Sequence, residues 1–198
     1  MIKVGRSRQN RLDLTSGARG KHFENMGYRD LVLWVGDKEV GNSLKTNPER
    51  VKSYIDFSCS TTVNNHLLIS WCTHFVHWLV DQAGMNGKIP KAPLGNRSTA
   101  RMPESFVKTD SPRPGDIYYM PVVNGKQTDH FGFVAEVLSD SKIRSLDGNS
   151  GSFKDPATNW SWKTATASGG GIGGGMVCYN ERNRGEIKYF LELTEDDF

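Results

Sequence analysis

A chain of 198 residues, 36% apolar and 10% aromatic, is long enough to bury one sizeable core and too apolar to stay disordered. Its 25 basic and 22 acidic residues leave a net charge of +3, too small to mark a nucleic-acid binder. No uninterrupted apolar run is long enough to span a bilayer, so no membrane span is expected.

The first residues, Met1-Ile2-Lys3-Val4-Gly5, lack the apolar stretch of a secretory signal, so synthesis without such a signal is expected. Basic residues from Lys3 to Lys21, interleaved with Ser, Gln, Asn and Gly, describe a solvated tail over residues 1–24. Residues 25–36 are apolar and read as helix, with β-branched positions leaving a strand open. Asn47 as cap and Pro48 in the first turn predict a second helix through Ile55, and a polar loop from Ser58 to Asn65 follows. Then Phe75, Val76, Leu79, Val80 and Ala83 recur at the spacing of a helix with one buried face, and Gly84 supplies a stop. Cys72 falls in the first turn of that helix. There, unpaired backbone N–H groups and the positive end of the dipole favour a thiolate, which is the nucleophilic form.

Residues 86–114 hold five prolines, at 90, 93, 103, 112 and 114, and read as a long surface crossing of the kind that lines grooves. From Gly115 the period becomes two. Residues 116–123 form one strand, Asn124-Gly125 a turn, residues 130–138 a second strand, and residues 143–147 a third. The glycine run from Gly169 to Gly175 reads as a flexible loop or lid, and residues 185–191 as a closing strand. Helices first and antiparallel strands second make an α+β fold, taken as a single domain over 1–198.

The second strand carries the complementary chemistry. Phe131, Phe133, Ala135 and Val137 share one face, while His130, Gly132 and Val134 share the other. A hairpin centred near Asp140–Ser141 sets His130 opposite roughly Asn149–Ser150, with Asp147 a neighbour. A thiol nucleophile needs a general base, and that base needs an acceptor to fix its tautomer. His130 is the candidate for the first need, which Cys72 would meet only through the tertiary fold. Asp147 and Asn149 both stand where they can meet the second.

Four motifs follow in a familiar order: Trp71-Cys72-x-x-Phe75-Val76-x-Trp78, Pro114-Gly115-Asp116-Ile117, His130-x-Gly132-Phe133-Val134 and Asp147-Gly148-Asn149. Over about residues 50–150 the chain resembles the cysteine, histidine-dependent amidohydrolase/peptidase (CHAP) family, related to the NlpC-type cell-wall peptidases of the papain-like fold. The resemblance implies Cys72 as nucleophile, His130 as general base, Asp147 as the family's acidic residue and Asn149 as the amide after it. It implies no metal or organic cofactor. Two departures stand out: Asp129 occupies the position before the histidine where the family usually has Gly, and Thr73 and His74 replace small residues after the cysteine. A carboxylate at 129 would raise the histidine pKa or meet a cationic group of the substrate.

Other readings are weaker. His66, His74 and His77 lack an acidic partner spaced to complete a metal set. Trp71, Trp160 and Trp162 are read either as lining of a sugar or peptide groove or as core. Asp116, just after a turn, is read as structural. If one of the three cysteine pairs forms, Cys59–Cys178 would leave Cys72 free. The function expected from the resemblance is hydrolysis of an amide bond in bacterial peptidoglycan, in the periplasm or wall of a target cell. The enzyme would be an injected antibacterial effector, as through a type VI secretion system, or a phage lysin, and an effector would have a cognate immunity protein. The rivals are a papain-like protease or deamidase of a host protein, and a silent binding module.

Overall fold

The computed structural model describes residues 26–58, 69–83, 107–121, 130–150 and 175–193. Among them are three helices: α1 (Tyr28–Asp37), α2 (Pro48–Ser58) and α3 (Cys72–Gln82). Six strands make one antiparallel sheet: β1 (Val107–Thr109), β2 (Ile117–Met120), β3 (His130–Ser139), β4 (Lys142–Ser150), β5 (Met176–Asn183) and β6 (Tyr189–Glu192). Their spatial order is β1-β6-β2-β3-β4-β5. The class is α+β.

Each helix follows from its pattern. In α2 the buried residues Val51, Tyr54, Ile55 and Ser58 recur at three- and four-residue steps, and the Asn47 side chain accepts from the Arg50 N–H at 3.4 Å, capping the first turn. In α1, Val32, Val35 and Gly36 are buried, and Gly36 lets the helix approach Leu79 and Leu146 where a side chain would collide. The third helix departs from expectation. Rather than one buried stripe, α3 buries Cys72 and every residue from Phe75 to Val80, and Gln82 as well, because it runs between the other helices and the sheet. A helix covered on all sides is a fixed platform for the residue that begins it. It ends at Gln82; Gly84 lies outside the described residues.

The hairpin of β3 and β4 turns at Asp140–Ser141, with Ser139 opposite Lys142 and Phe133 opposite Leu146. Phe131, Phe133 and Leu146 join the helix-side core, while Tyr118, Met120, Val134, Ile143 and Phe190 build a smaller core on the other face. Two strands were not expected. β1 lies at the end of the stretch read as a crossing, and β5 carries no apolar alternation after Val177 (Cys-Tyr-Asn-Glu-Arg-Asn). The closing strand is present as β6, but it lies inside the sheet, between β1 and β2. Asp116 is structural as expected: it accepts from the Arg113 and Leu193 N–H groups and pairs with Arg29 at 3.1 Å, tying α1 to the sheet. The Asn124-Gly125 turn lies outside the described residues, as does the glycine run up to Gly174.

Candidate active site

Cys72 is the first residue of α3, and the residue before it, Trp71, is an N-cap with no side-chain oxygen. No capping group from that position therefore competes for the first-turn N–H donors, which have no intrahelical acceptor. His130 is the first residue of β3, and Asp147 lies on the neighbouring strand β4, on the same sheet face. All three are buried: Cys72 is 2% exposed, His130 7% and Asp147 0%. Cys72 and His130 each shift the ionisation of the other, which brings the start of α3 to the start of β3.

His130 Nε2 faces Asp147 Oδ1 at 3.4 Å. The alignment falls short of a hydrogen bond, so the carboxylate acts on the imidazole chiefly through its charge. With Nε2 turned to the acid, Nδ1 is the nitrogen left for the thiol, and the Cys72 and His130 side chains are close enough for each to shift the ionisation of the other. Gly132 makes the arrangement possible, because a Cβ there would come within 2.2 Å of Asp147 Oδ1.

Burial pushes the Cys72 thiol up. The charge of His130, hydrogen bonds from His130 and Ser70, and the Phe131 backbone outweigh it and bring the thiol down to about 7. For His130, burial lowers the pKa, but the charges of Asp147 and Cys72 raise it to about 9. Burial also opposes ionisation of Asp147, yet the charges of His130 and Arg182 and the Tyr118 hydroxyl hold it well below the usual carboxylate range. Between the first two values the dyad is a thiolate and an imidazolium. That is the reactive form.

Asp147 is held by residues that the sequence alone did not reveal. Tyr118 donates its hydroxyl to Oδ1 at 2.5 Å. On Oδ2 converge Ser145 Oγ at 2.8 Å, Asn180 Nδ2 at 2.7 Å and Arg182 Nη2 at 2.6 Å. Asp147 is opposite Cys178, and Asn180 and Arg182 follow on the same face of β5 at period two. Recognising β5 as a strand would have found them.

Asn149 does a different job from Asp147. It sits at φ +55, a left-handed conformation that asparagine tolerates, at the register shift of β4 against β5. Its Nδ2 donates to Ser70 Oγ at 3.4 Å, and its Oδ1 accepts from the Gly175 N–H at 3.1 Å. Ser70 Oγ in turn lies 3.8 Å from Cys72 Sγ. The amide therefore reaches Cys72 through Ser70, while the carboxylate faces the histidine.

The substrate-contact expectation for Trp71 is overturned. Its side chain is fully buried and packs on Tyr54 and Phe75, with ring centroids 5.9 and 6.4 Å apart. Being N-terminal to a buried helix, it anchors that helix in the core rather than meeting solvent. Asp129 and Trp160 lie outside the described residues, as does Cys59. Cys178 is a free thiol beside Asn180 (3.3 Å), pushed up to about 11 chiefly by burial, and the conditional Cys59–Cys178 pairing involves a residue outside the described residues. His74 Nδ1 hydrogen-bonds the Ser58 hydroxyl, and His77 is buried within α3.

No curated protein and no solved structure matches the chain at the significance required. The family model of the CHAP domain matches residues 64–149, a segment that contains Cys72, His130, Asp147 and Asn149. Over those residues the chain is similar to the CHAP domain, the family of cysteine/histidine-dependent amidohydrolases/peptidases.

Proposed function

We propose that this protein hydrolyses an amide bond of bacterial peptidoglycan, with Cys72 as nucleophile, His130 as acid and base, and Asp147 as the charge that holds the imidazole. The observation that carries the reading is the buried Cys72–His130–Asp147 line at the start of α3, inside a CHAP match. The papain-like arrangement is part of the same proposal: a nucleophile at a helix N-terminus, set against a histidine that begins a strand.

In the ground state His130 takes the proton of Cys72. The thiolate attacks the amide carbonyl, and the electron pair moves to the carbonyl oxygen. The Cys72 backbone N–H at the start of α3 stabilises that oxyanion. The imidazolium protonates the departing amine as the C–N bond breaks, leaving a thioester on Cys72. Water, deprotonated by His130, attacks the thioester, and the acid product leaves with the thiol restored.

The test is digestion of purified peptidoglycan followed by mass spectrometry of the released muropeptides. The wild-type protein is expected to release new fragments whose masses identify the bond cut, and Cys72→Ala none. Equal digestion by Cys72→Ala removes the thiol mechanism. No fragments from the wild type moves the substrate to a protein amide.

A further inference from the structure

The site contains a charge that the Cys–His–Asp chemistry does not itself call for. Asp147 is fully buried, and a lone buried carboxylate is strongly unfavourable unless compensated. Of the side chains on its Oδ2, Ser145 and Asn180 are neutral, and Arg182 brings a full positive charge at 2.6 Å. Taking formal charges in the reactive state, the Cys72 thiolate and Asp147 carboxylate contribute two negatives, and the His130 imidazolium only one positive. Arg182 brings the cluster to neutrality.

We propose that Arg182 is a positioning residue for this site: from β5 it holds Asp147 Oδ2 and balances the charge of the thiolate–imidazolium–carboxylate line. The inference rests on the hydrolase reading only for its consequence in catalysis; the electrostatic claim concerns the free protein. Among the described residues, the titratable and charged groups that face the cluster are Cys72 of α3, Tyr118 of β2, His130 of β3, Asp147 of β4, and Cys178 and Arg182 of β5. Arg182 is the one fixed cation in that set. Its hydrogen bonds to Asp147 and Ser150 run through a single nitrogen: Nη2 also donates to Ser150 Oγ at 2.8 Å, while Nε has no partner among the described residues. A lysine ammonium can imitate a one-atom contact of this kind, where it cannot imitate a two-pronged one.

Removing a fixed cation raises the pKa of every group around it, so both the thiol and the imidazole should titrate at higher pH in its absence. The test compares wild type, R182Q and R182K by two readouts that need no substrate. One is the pH dependence of iodoacetamide alkylation at Cys72, located by mass spectrometry. The other is NMR titration of the His130 ring. In R182Q, which keeps a hydrogen-bond donor without the charge, both midpoints are expected to move up by about one pH unit. In R182K they should stay within about 0.3 unit of wild type, because the charge remains. A folded R182Q with wild-type midpoints overturns the proposal, and so does R182K shifting as far as R182Q. Should R182Q fail to fold, D147N/R182Q is compared with D147N, which relieves the stranded carboxylate. The double variant's imidazole should titrate above that of D147N, and equality overturns the proposal. Because neither readout involves hydrolysis, failure here leaves the muropeptide test of the proposed function untouched, and failure there leaves these titrations standing.

Discussion

Gly132 of β3 and Asp147 of β4 stand so close that a Cβ on the glycine would come within 2.2 Å of Oδ1 and 2.8 Å of the Tyr118 ring. The carboxylate can face His130 only because the residue two positions along the same strand has no side chain. Gly132→Ala is therefore expected to cost about 1–3 kcal/mol of stability by overpacking. It should also lower turnover by about 100-fold or more, since a displacement near 1 Å in a catalytic group has that scale of effect. Thermal melts and initial rates on peptidoglycan check both, and a fully active Gly132→Ala would show that Asp147 need not hold this position.

The pH profile follows from the two shifts at the dyad. The Cys72 thiol, brought down to about 7 by the charge of His130 against its burial, is a nucleophile only above that value. The His130 imidazole, raised to about 9 by Asp147 and Cys72 against its burial, is an acid for the leaving amine only below that value. A bell-shaped kcat/KM between limbs near 7 and near 9 is expected. In Asp147→Asn the alkaline limb should move down, because the charge that raises the imidazole is gone. Initial rates measured from about pH 5 to about pH 10 decide it, and an unmoved alkaline limb in Asp147→Asn would detach that limb from His130.

Two other histidines set stability on the acid side. Burial depresses His74 to about 4 and His77 to about 3, and for His77 the charge of His74 adds to it. A free histidine titrates near 6.5, so below that pH the unfolded chain takes up protons that the folded chain refuses. The stabilising contribution is complete above about 6.5 and is lost as pH falls toward about 4 and then about 3. The loss is a few kcal/mol, enough to unfold a marginal domain. His77 Nε2 is buried with no partner among the described residues, so His77→Leu removes both a titrating group and an unsatisfied polar atom. Denaturant melts should show His77→Leu gaining more stability near pH 5 than near pH 8, and an equal gain at both would count against the linkage.

Local patterns carried much of this molecule and failed where burial or charge replaced them. The spacing of Phe75, Val76 and Leu79 announces α3 and so places Cys72 in its first turn. The turn at Asp140–Ser141 brings His130 and Asp147 to adjacent strands. Strand β5 was illegible because its inner face is lined by Cys178, Asn180 and Arg182, chosen for Asp147 and not for an apolar core. A polar strand that serves a buried anion has no alternation to detect. Trp71 shows the reverse failure: an aromatic next to a nucleophile resembles a groove wall, and only the tertiary packing of Tyr54 and Phe75 reveals it as core. The choice between Asp147 and Asn149 also needed the fold, since the left-handed turn at Asn149 aims its amide at Ser70.

The placement of β5 and β6 bears on how the domain is delimited. The matched segment closes at residue 149, yet the cation on Asp147 arrives at residue 182, and β6, at residues 189–192, is the strand that joins β1 to β2. A fragment cut to the matched boundaries would hold Cys72, His130 and Asp147 but would leave Asp147 short of its Arg182 counterion and the sheet split. The matched segment is thus shorter than the sheet and the charge pairing it takes part in, and truncations or domain grafts should retain the chain through Leu193.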